Sequence, residues 1–342
     1  MSRQLSTLII GAVLCLAMAV TSFSFRVPYV VLSPGPTFNT LGKYGGNDII
    51  SINGHPTSQT SGNLNLTTVS EDTQNTTVAG AIKGWLRHDE VVVPHDSVNP
   101  PGLTQQQVNE QDKQDFLQSQ NTAIAAAACE LKYPQGFGIL DVSPDSPNVN
   151  VLKPGDSFVS LDNTKVHDDP SLRAVIAKLK QGDKVPAVVI RAGKQTSVTV
   201  TMGAPGSAGG PPLLGITLTN GCLLPFAVTV DLGGIGGPSA GLMFSLGLVD
   251  KLGTVDLTHG KFIAGTGTIG SDGAVGPIGG IQLKMIGAKR AGASIFLAPS
   301  SNCSDVRGNI PPGLNVVKVT SLHDAIASLN VLGAGQTGVP HC

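Results

Sequence analysis

Apolar and polar positions alternate in different ways along the chain, and each regime predicts a different element. From Leu5 to Phe25 no charge interrupts the apolar run, Arg3 and Arg26 bracket it, and its length suffices to cross a bilayer. The expected element is an uncleaved single-pass helix over residues 1–26. A cleaved signal peptide is the rival, although its apolar core would be shorter and would end on small residues rather than Phe23-Ser24-Phe25. Between 27 and 70 the pattern shortens to strands: VPYVVL, a turn at Ser33-Pro34-Gly35-Pro36, DIISING with a hairpin signal at Asn53-Gly54, and the alternating NLNLTTV. VAGAIKGWL then reads as a short helix. Residues 94–130 are polar and Gln-rich, and a capping-box match at Thr104 to Gln107 predicts one or two amphipathic helices ending in AIAAAACEL.

Residues 133–203 read as a module of their own. YPQGFGILDV, PGDSFVSLDN, KVPAVVIRA and TSVTVTM are expected strands. DDPSLRAVIAKLKQG is an expected helix with Asp169 as cap, Pro170 at its first position, Gly182 as stop, and Leu172, Val175, Ile176 and Leu179 on one stripe. GAPGSAGGPP, Gly203 to Pro212, reads as a flexible linker, and residues 204–342 as the last domain. There LNVVKV and SLHDAIASL close the regular structure, and composition predicts a poorly structured tail from Gly333.

The stretch from Gly233 to Pro299 carries the candidate chemistry. Gly233, Gly234, Gly236 and Gly237 precede Pro238-Ser239-Ala240-Gly241 and an almost wholly apolar run to Val249, which is a tight loop feeding a buried helix. A serine at that helix start lies among unpaired N–H groups and the positive end of the dipole, where a developing oxyanion is favoured; it is equally suited to being an N-cap. KFIAGTGTIGSDGAVGPIGG resembles a hairpin, and a further helix is expected from Ile281 to Ala291. On its wheel Lys284 is flanked by Ile281, Gly287, Ala288 and Ala291, while Gln282, Lys289 and Arg290 point elsewhere. A lysine buried on that face loses its charge more readily and can act as general base for a serine; alternatively its stem lies on the core and its ammonium reaches water.

Composition narrows the function. At 13% charged residues and a net charge of −1 there is no basic field for nucleic acid, while 41% hydrophobic residues supply real cores for two domains. The five cysteines show no metal-ligand spacing, and of the four outside the apolar run, Cys303 and Cys342 are the expected pair. His88 and His95 beside Asp89 and Asp96 are read as loop residues rather than ligands. No metal and no cofactor is expected.

GGPSAG, GTGTI, GPIGGIQLKMIGAKRAGA and IFLAP together resemble the proteolytic domain of Lon-type serine peptidases over about residues 215–300. The resemblance implies a Ser-Lys dyad of Ser239 and Lys284, with Thr266 near the amine. An aspartate often stands in that family where this chain has Gly236. LSPGPTFNTLG and SGNLNLTTV resemble segments that precede an inserted module in membrane-anchored Lon-like proteins, so residues 27–132 are expected to be the first part of the proteolytic domain with connecting helices. The 133–203 module resembles a PDZ domain. That implies a Gly136-Phe137-Gly138-Ile139 loop offering N–H groups to a peptide carboxylate, and a groove beside Leu172 and Ile176 that takes the peptide as a strand. The fold expected is thus α+β: an N-terminal transmembrane helix and a Lon-type proteolytic domain with an inserted PDZ domain.

The function implied is a membrane-anchored serine endopeptidase, with the bulk of the chain outside the cytoplasm. It would act on protein or peptide substrates, and homo-oligomerisation is possible. With no Gly-x-x-x-x-Gly-Lys-Ser/Thr run, proteolysis would be ATP-independent or powered by a partner. Two alternatives stand beside it. One is a non-catalytic membrane scaffold with a degenerate Lon fold. The other is a Ser-His esterase, since Gly237 to Gly241 also satisfies Gly-x-Ser-x-Gly and His259, His323 or His341 could follow as base.

Overall fold

The computed structural model describes residues 3–72, 76–191, 193–207, 209–233 and 236–342; Gly234 lies outside them. Helix α1 (Arg3–Ser24) leads to strands β1 (Tyr29–Asn39), β2 (Lys43–Tyr44), β3 (Asn47–Asp48), β4 (Ile50–Asn53) and β5 (Asn63–Asp72), then α2 (Val78–Leu86), β6 (Val91–Pro94) and α3 (Gln105–Glu130). Next come β7 (Gln135–Val142), β8 (Ser157–Leu161), β9 (Thr164–Lys165), α4 (Asp169–Ile176), β10 (Lys184–Arg191), β11 (Lys194–Thr201) and β12 (Ile216–Cys222). The last third holds β13 (Ala227–Val230), α5 (Gly241–Leu252), β14 (Phe262–Gly265), β15 (Thr268–Ile269), β16 (Val275–Gly276), α6 (Ile281–Ala291), β17 (Ile295–Pro299), α7 (Cys303–Val306), β18 (Asn315–Val319) and α8 (Leu322–Gly333).

Two sheets dominate. The first runs β18-β17-β14-β5-β1-β6 and joins strands from both ends of the chain: β14 pairs in parallel with β5, Leu64 opposite Ile263. Side chains alternate across it with the strand period. Ile263, Leu297 and Val317 face a core shared with α3, α5 and α8, whereas Ala264, Phe296 and Val316 face Ile281, Met285 and Ala288 of α6. A sheet covered on both faces explains why IFLAP and FIAG read as unbroken apolar runs. The second sheet runs β11-β10-β8-β7-β12 around Phe137, Ile139, Leu161 and Leu172.

Several local expectations are corrected. Ser33 to Pro36 is no turn: β1 passes through it and absorbs the two prolines as a register shift against β5 between Pro34 and Thr37. Residues 105–130 form one helix, closed at its start by the predicted Thr104–Gln107 box. The cap of α4 is Asp168, whose carboxylate accepts from Ser171 N, and the helix ends at Ile176 before the Gly182 turn. The sheet of the 133–203 module extends past its expected end, because to β7–β11 it adds a sixth strand, β12, from beyond the Gly-Pro-rich loop. Ala291 is exposed, since the last turn of α6 leaves the sheet.

The tail also departs from its composition. Disulfides join Cys303 to Cys342 and Cys129 to Cys222. The first, together with Lys318 N donating to Pro340 O and Arg307 Nε donating to Cys342 O, holds the tail against β18. The second staples the end of α3 to β12.

Candidate active site and binding groove

Ser239 stands two residues before α5, and the N-cap is Ala240, which has no side-chain capping bond. Its hydroxyl is therefore not spent on the helix. Gly237, at φ +84°, turns the loop, and its N–H donates to Asp112 O of α3 at 3.0 Å, while Ser119 Oγ donates to Pro238 O at 2.9 Å. Gly236 lies so close to α3 that a Cβ there would stand 2.8 Å from the Asp112 Cβ, which leaves no room for a larger residue.

Lys284 is only 4% exposed, and its Nζ lies 2.7 Å from Ser239 Oγ and 3.1 Å from Thr266 Oγ1. No carboxylate pairs with it among the described residues. Burial alone pushes its pKa down to about 8, so an appreciable fraction is neutral near pH 7. Thr266, 1% exposed, follows β14 and donates its hydroxyl proton to Ser239 O at 3.0 Å. With that proton committed, Thr266 Oγ1 can only accept from the amine. This fixes one Nζ–H and leaves the lone pair of a neutral lysine for the Ser239 hydroxyl proton. The chain thus brings Ser239, Lys284 and Thr266 together in one hydrogen-bonded cluster.

The cluster opens into a cleft of about 630 Å³ lined by Phe38 and Tyr44, by Thr67 to Glu71 of β5, and by Asp112. Glu71 and Asp112 give its mouth a negative character. Desolvation raises the pKa of both carboxyls, with Asp112 adding to it for Glu71 and Asp115 for Asp112. Sequence reasoning missed this wall, since neither carboxylate sits in a motif. Among the described residues no histidine lines the cleft. His323 is largely exposed and bonds Glu130 at 2.9 Å, and His341 Nδ1 meets Val316 O. His88 is an exposed turn residue, His95 is exposed at the start of a short 3-10 helix rather than in a loop, and no group of His, Cys, Asp or Glu suited to a metal occurs among the described residues.

The expected carboxylate-binding loop at Gly136, Phe137, Gly138 and Ile139 is not a loop. These residues lie inside β7, paired with β12 on one side and β8 on the other, and Ile139 is fully buried. Gly138 serves packing, because a Cβ there would stand 2.3 Å from Asp156 O. The apolar groove lies one strand further out, about 280 Å³ between α4 and the sheet-edge strand β12. Leu172 and Ile176 line it as expected, opposite Leu213, Leu214, Ile216 and Leu218. Leu213-Leu214-Gly215-Ile216 was hidden because a strand after a Gly-Pro-rich loop reads as the start of the next domain.

Comparison with known proteins finds a match for each of two domain types. A family model of the Lon protease (S16) C-terminal proteolytic domain matches residues 231–331, and a PDZ-domain model matches residues 105–202. A Lon protease of Roseiflexus castenholzii is 41% identical over 71 residues, covering 21% of this chain and 9% of that protein. A probable periplasmic serine endoprotease, DegP-like, of Halomonas elongata is 35% identical over 96 residues, 25% of this chain and 20% of that one. Among solved structures, the PDZ domain of the SdrC-like protein from Listeria monocytogenes matches at 26% identity and a TM-score of 0.23, covering 25% of this chain and 90% of that one. The chain therefore carries a PDZ domain and a Lon protease C-terminal proteolytic domain, while spanning a fifth or less of these two curated relatives.

Proposed function

We propose that the chain is an ATP-independent serine endopeptidase, anchored in a membrane by α1, whose PDZ domain is inserted between two parts of the proteolytic domain and recruits protein or peptide substrates. The observation that carries this reading is Lys284: a buried amine without a carboxylate partner, 2.7 Å from a serine hydroxyl that caps no helix. Ser239 Oγ attacks the scissile carbonyl carbon as Lys284 Nζ takes its proton. The start of α5 favours the oxyanion, and the lysine returns the proton to the leaving amine. Water then enters by the same route in reverse and releases the acyl group. Thr266 positions the amine throughout.

Placement of the bulk of the chain outside the cytoplasm is supported by its two disulfides and by the apolar α1, which has the length and hydropathy of a membrane span or of a signal sequence. Peptide capture is assigned to the groove between β12 and α4, since an edge strand beside an apolar helix face is what strand addition requires.

The test uses the full chain in detergent with a serine-directed phosphonate and an unfolded polypeptide. The expected result is a single adduct mapped to Ser239, with cleavage lost in both Ser239→Ala and Lys284→Ala. Neither adduct nor cleavage by the wild type would favour the scaffold; cleavage kept in Lys284→Ala and lost in His323→Ala would favour the esterase.

A further inference from the structure

Helix α2 presents two different faces. Ala81 and Gly84 are buried, and Gly84 sits so tightly on the sheet that a Cβ would stand 2.8 Å from Val92 Cγ2. On the opposite face Ile82, Trp85 and Leu86 are 47%, 64% and 78% exposed, at the i, i+3, i+4 spacing of one helical stripe. Tyr29 stacks edge-on against Trp85 at 6.3 Å, and Phe25 is exposed beside them. Outside α1, this is the densest gathering of exposed large apolar side chains in the described chain; the rest are scattered over both domains.

The position of this face identifies its partner. Val27 N donates to Thr76 O at 2.9 Å and Val78 N donates to Phe25 O at 3.0 Å, with Arg26 bridged to Thr77. The first turn of α2 is thus fastened by backbone bonds to the residues immediately after α1, and it cannot leave the level at which that helix ends. We infer that the Ile82-Trp85-Leu86 face of α2, with Tyr29 and Phe25, lies in the membrane–water interface and docks the catalytic body onto the lipid surface. The inference rests on the reading of α1 as a span. Tryptophan and tyrosine settle at head-group depth because each has an apolar body and a polar tip, and an exposed apolar helical stripe with polar flanks buries itself there.

The docking face is connected to the candidate active site. Asp89, just beyond α2, pairs with Arg290 at the end of α6, the helix that carries Lys284. The close seat of Gly84 against Val92 of β6 and Val31 of β1, strands of the sheet that also carries the cleft wall, sets the cleft near the bilayer, which directs the enzyme to polypeptide segments close to it.

Trp85 is the only tryptophan in the chain, so its fluorescence reports this face alone. The full chain is reconstituted into phosphatidylcholine vesicles, with and without bromines near the head end or near the middle of the acyl chains, and floated on a gradient. The expected result is a floating protein with blue-shifted emission, roughly halved by the shallow bromines and less affected by the deep ones. The paired variant Ile82→Asp and Leu86→Asp should still float but lose most of that quenching. A floating wild type with water-like, unquenched emission would overturn the inference. A blue shift without quenching, growing with the protein-to-lipid ratio, would assign the face to a second copy instead. A chain that does not float refutes the span reading, and the docking with it.

Discussion

The two concavities of this molecule are built on opposite rules. In the cleft, the groups that matter are polar and buried against their preference: Lys284 and Thr266 are almost fully covered, and each is held by the other's hydrogen bonds. In the groove between β12 and α4, the groups that matter are apolar, and some are left uncovered: Leu213 is 44% exposed beside the buried Leu172 and Leu214. A buried lysine costs stability, and an uncovered leucine forgoes it. Each concavity thus keeps a local penalty that a purely structural domain would have removed.

The largest effect should come from breaking the cleft. Ser239→Ala or Lys284→Ala should each lower the cleavage rate by on the order of 10⁴-fold or more, and the double variant should be no worse than either, because the two act as one unit. In the wild type the rate should rise with pH along a limb with an apparent pKa near 8, as the lysine becomes neutral. A flat profile in steady-state kinetics from pH 6 to 10 would be incompatible with a lysine base (about the range set by its shift).

Next in size is the contrast between β7 and β12. Ile139→Ala should cost about 2–5 kcal/mol in denaturant unfolding, since it empties a fully buried position of the second sheet. A negligible cost, with a selective loss of peptide binding, would restore Gly136 to Ile139 as the ligand site.

Lys284→Met separates penalty from function within the cleft. The folded lysine loses its proton at about 8 rather than at its ordinary 10.5, so the unfolded chain binds more protons between those values and stability rises with pH across them. The deficit is greatest below pH 8. Removing the amine should therefore stabilise an inactive protein at pH 7, by at most about 3 kcal/mol. Thermal unfolding of the two proteins at pH 7 and pH 10 measures this, and the gain should shrink at the higher pH.

The smallest effect belongs to the groove. Leu213→Asp or Ile176→Asp should weaken capture of a long polypeptide about tenfold, roughly 1.4 kcal/mol, while hydrolysis of a short peptide stays unchanged. Titration of an immobilised peptide with an apolar carboxyl terminus gives the affinity directly.

The same contrast explains what the sequence could reveal. A lysine among Ile281, Gly287 and Ala288 violates the helical pattern, so Lys284 was visible as a misfit, and with it the helix bounds Ile281 to Ala291. Ser239 was visible through its glycines, although whether it caps a helix was not. The groove offered no misfit, because Leu214 and Ile216 are ordinary strand residues until one knows which edge they occupy. Edge position is a property of long-range pairing. For the same reason Gly136 and Gly138 pointed to a ligand loop when their role is close packing against β8, and Asp112 came to the cleft from a helix whose polarity marked it only as amphipathic. The tail was misjudged because composition takes no account of a covalent tie.

The parallel pairing of Leu64 with Ile263 also sets an order of assembly. During synthesis β5 has no β14 to pair with until some 200 residues more have emerged, whereas the second sheet is complete within one contiguous stretch. Lys284 comes later still. On the proposed reading, a chain threaded amino end first through a membrane would be without its base until most of it has passed, and closing so long a loop is slow. The topology would then act as a delay, keeping the proposed peptide-cutting centre unformed while its own unfolded segments and those of its neighbours are most vulnerable to it.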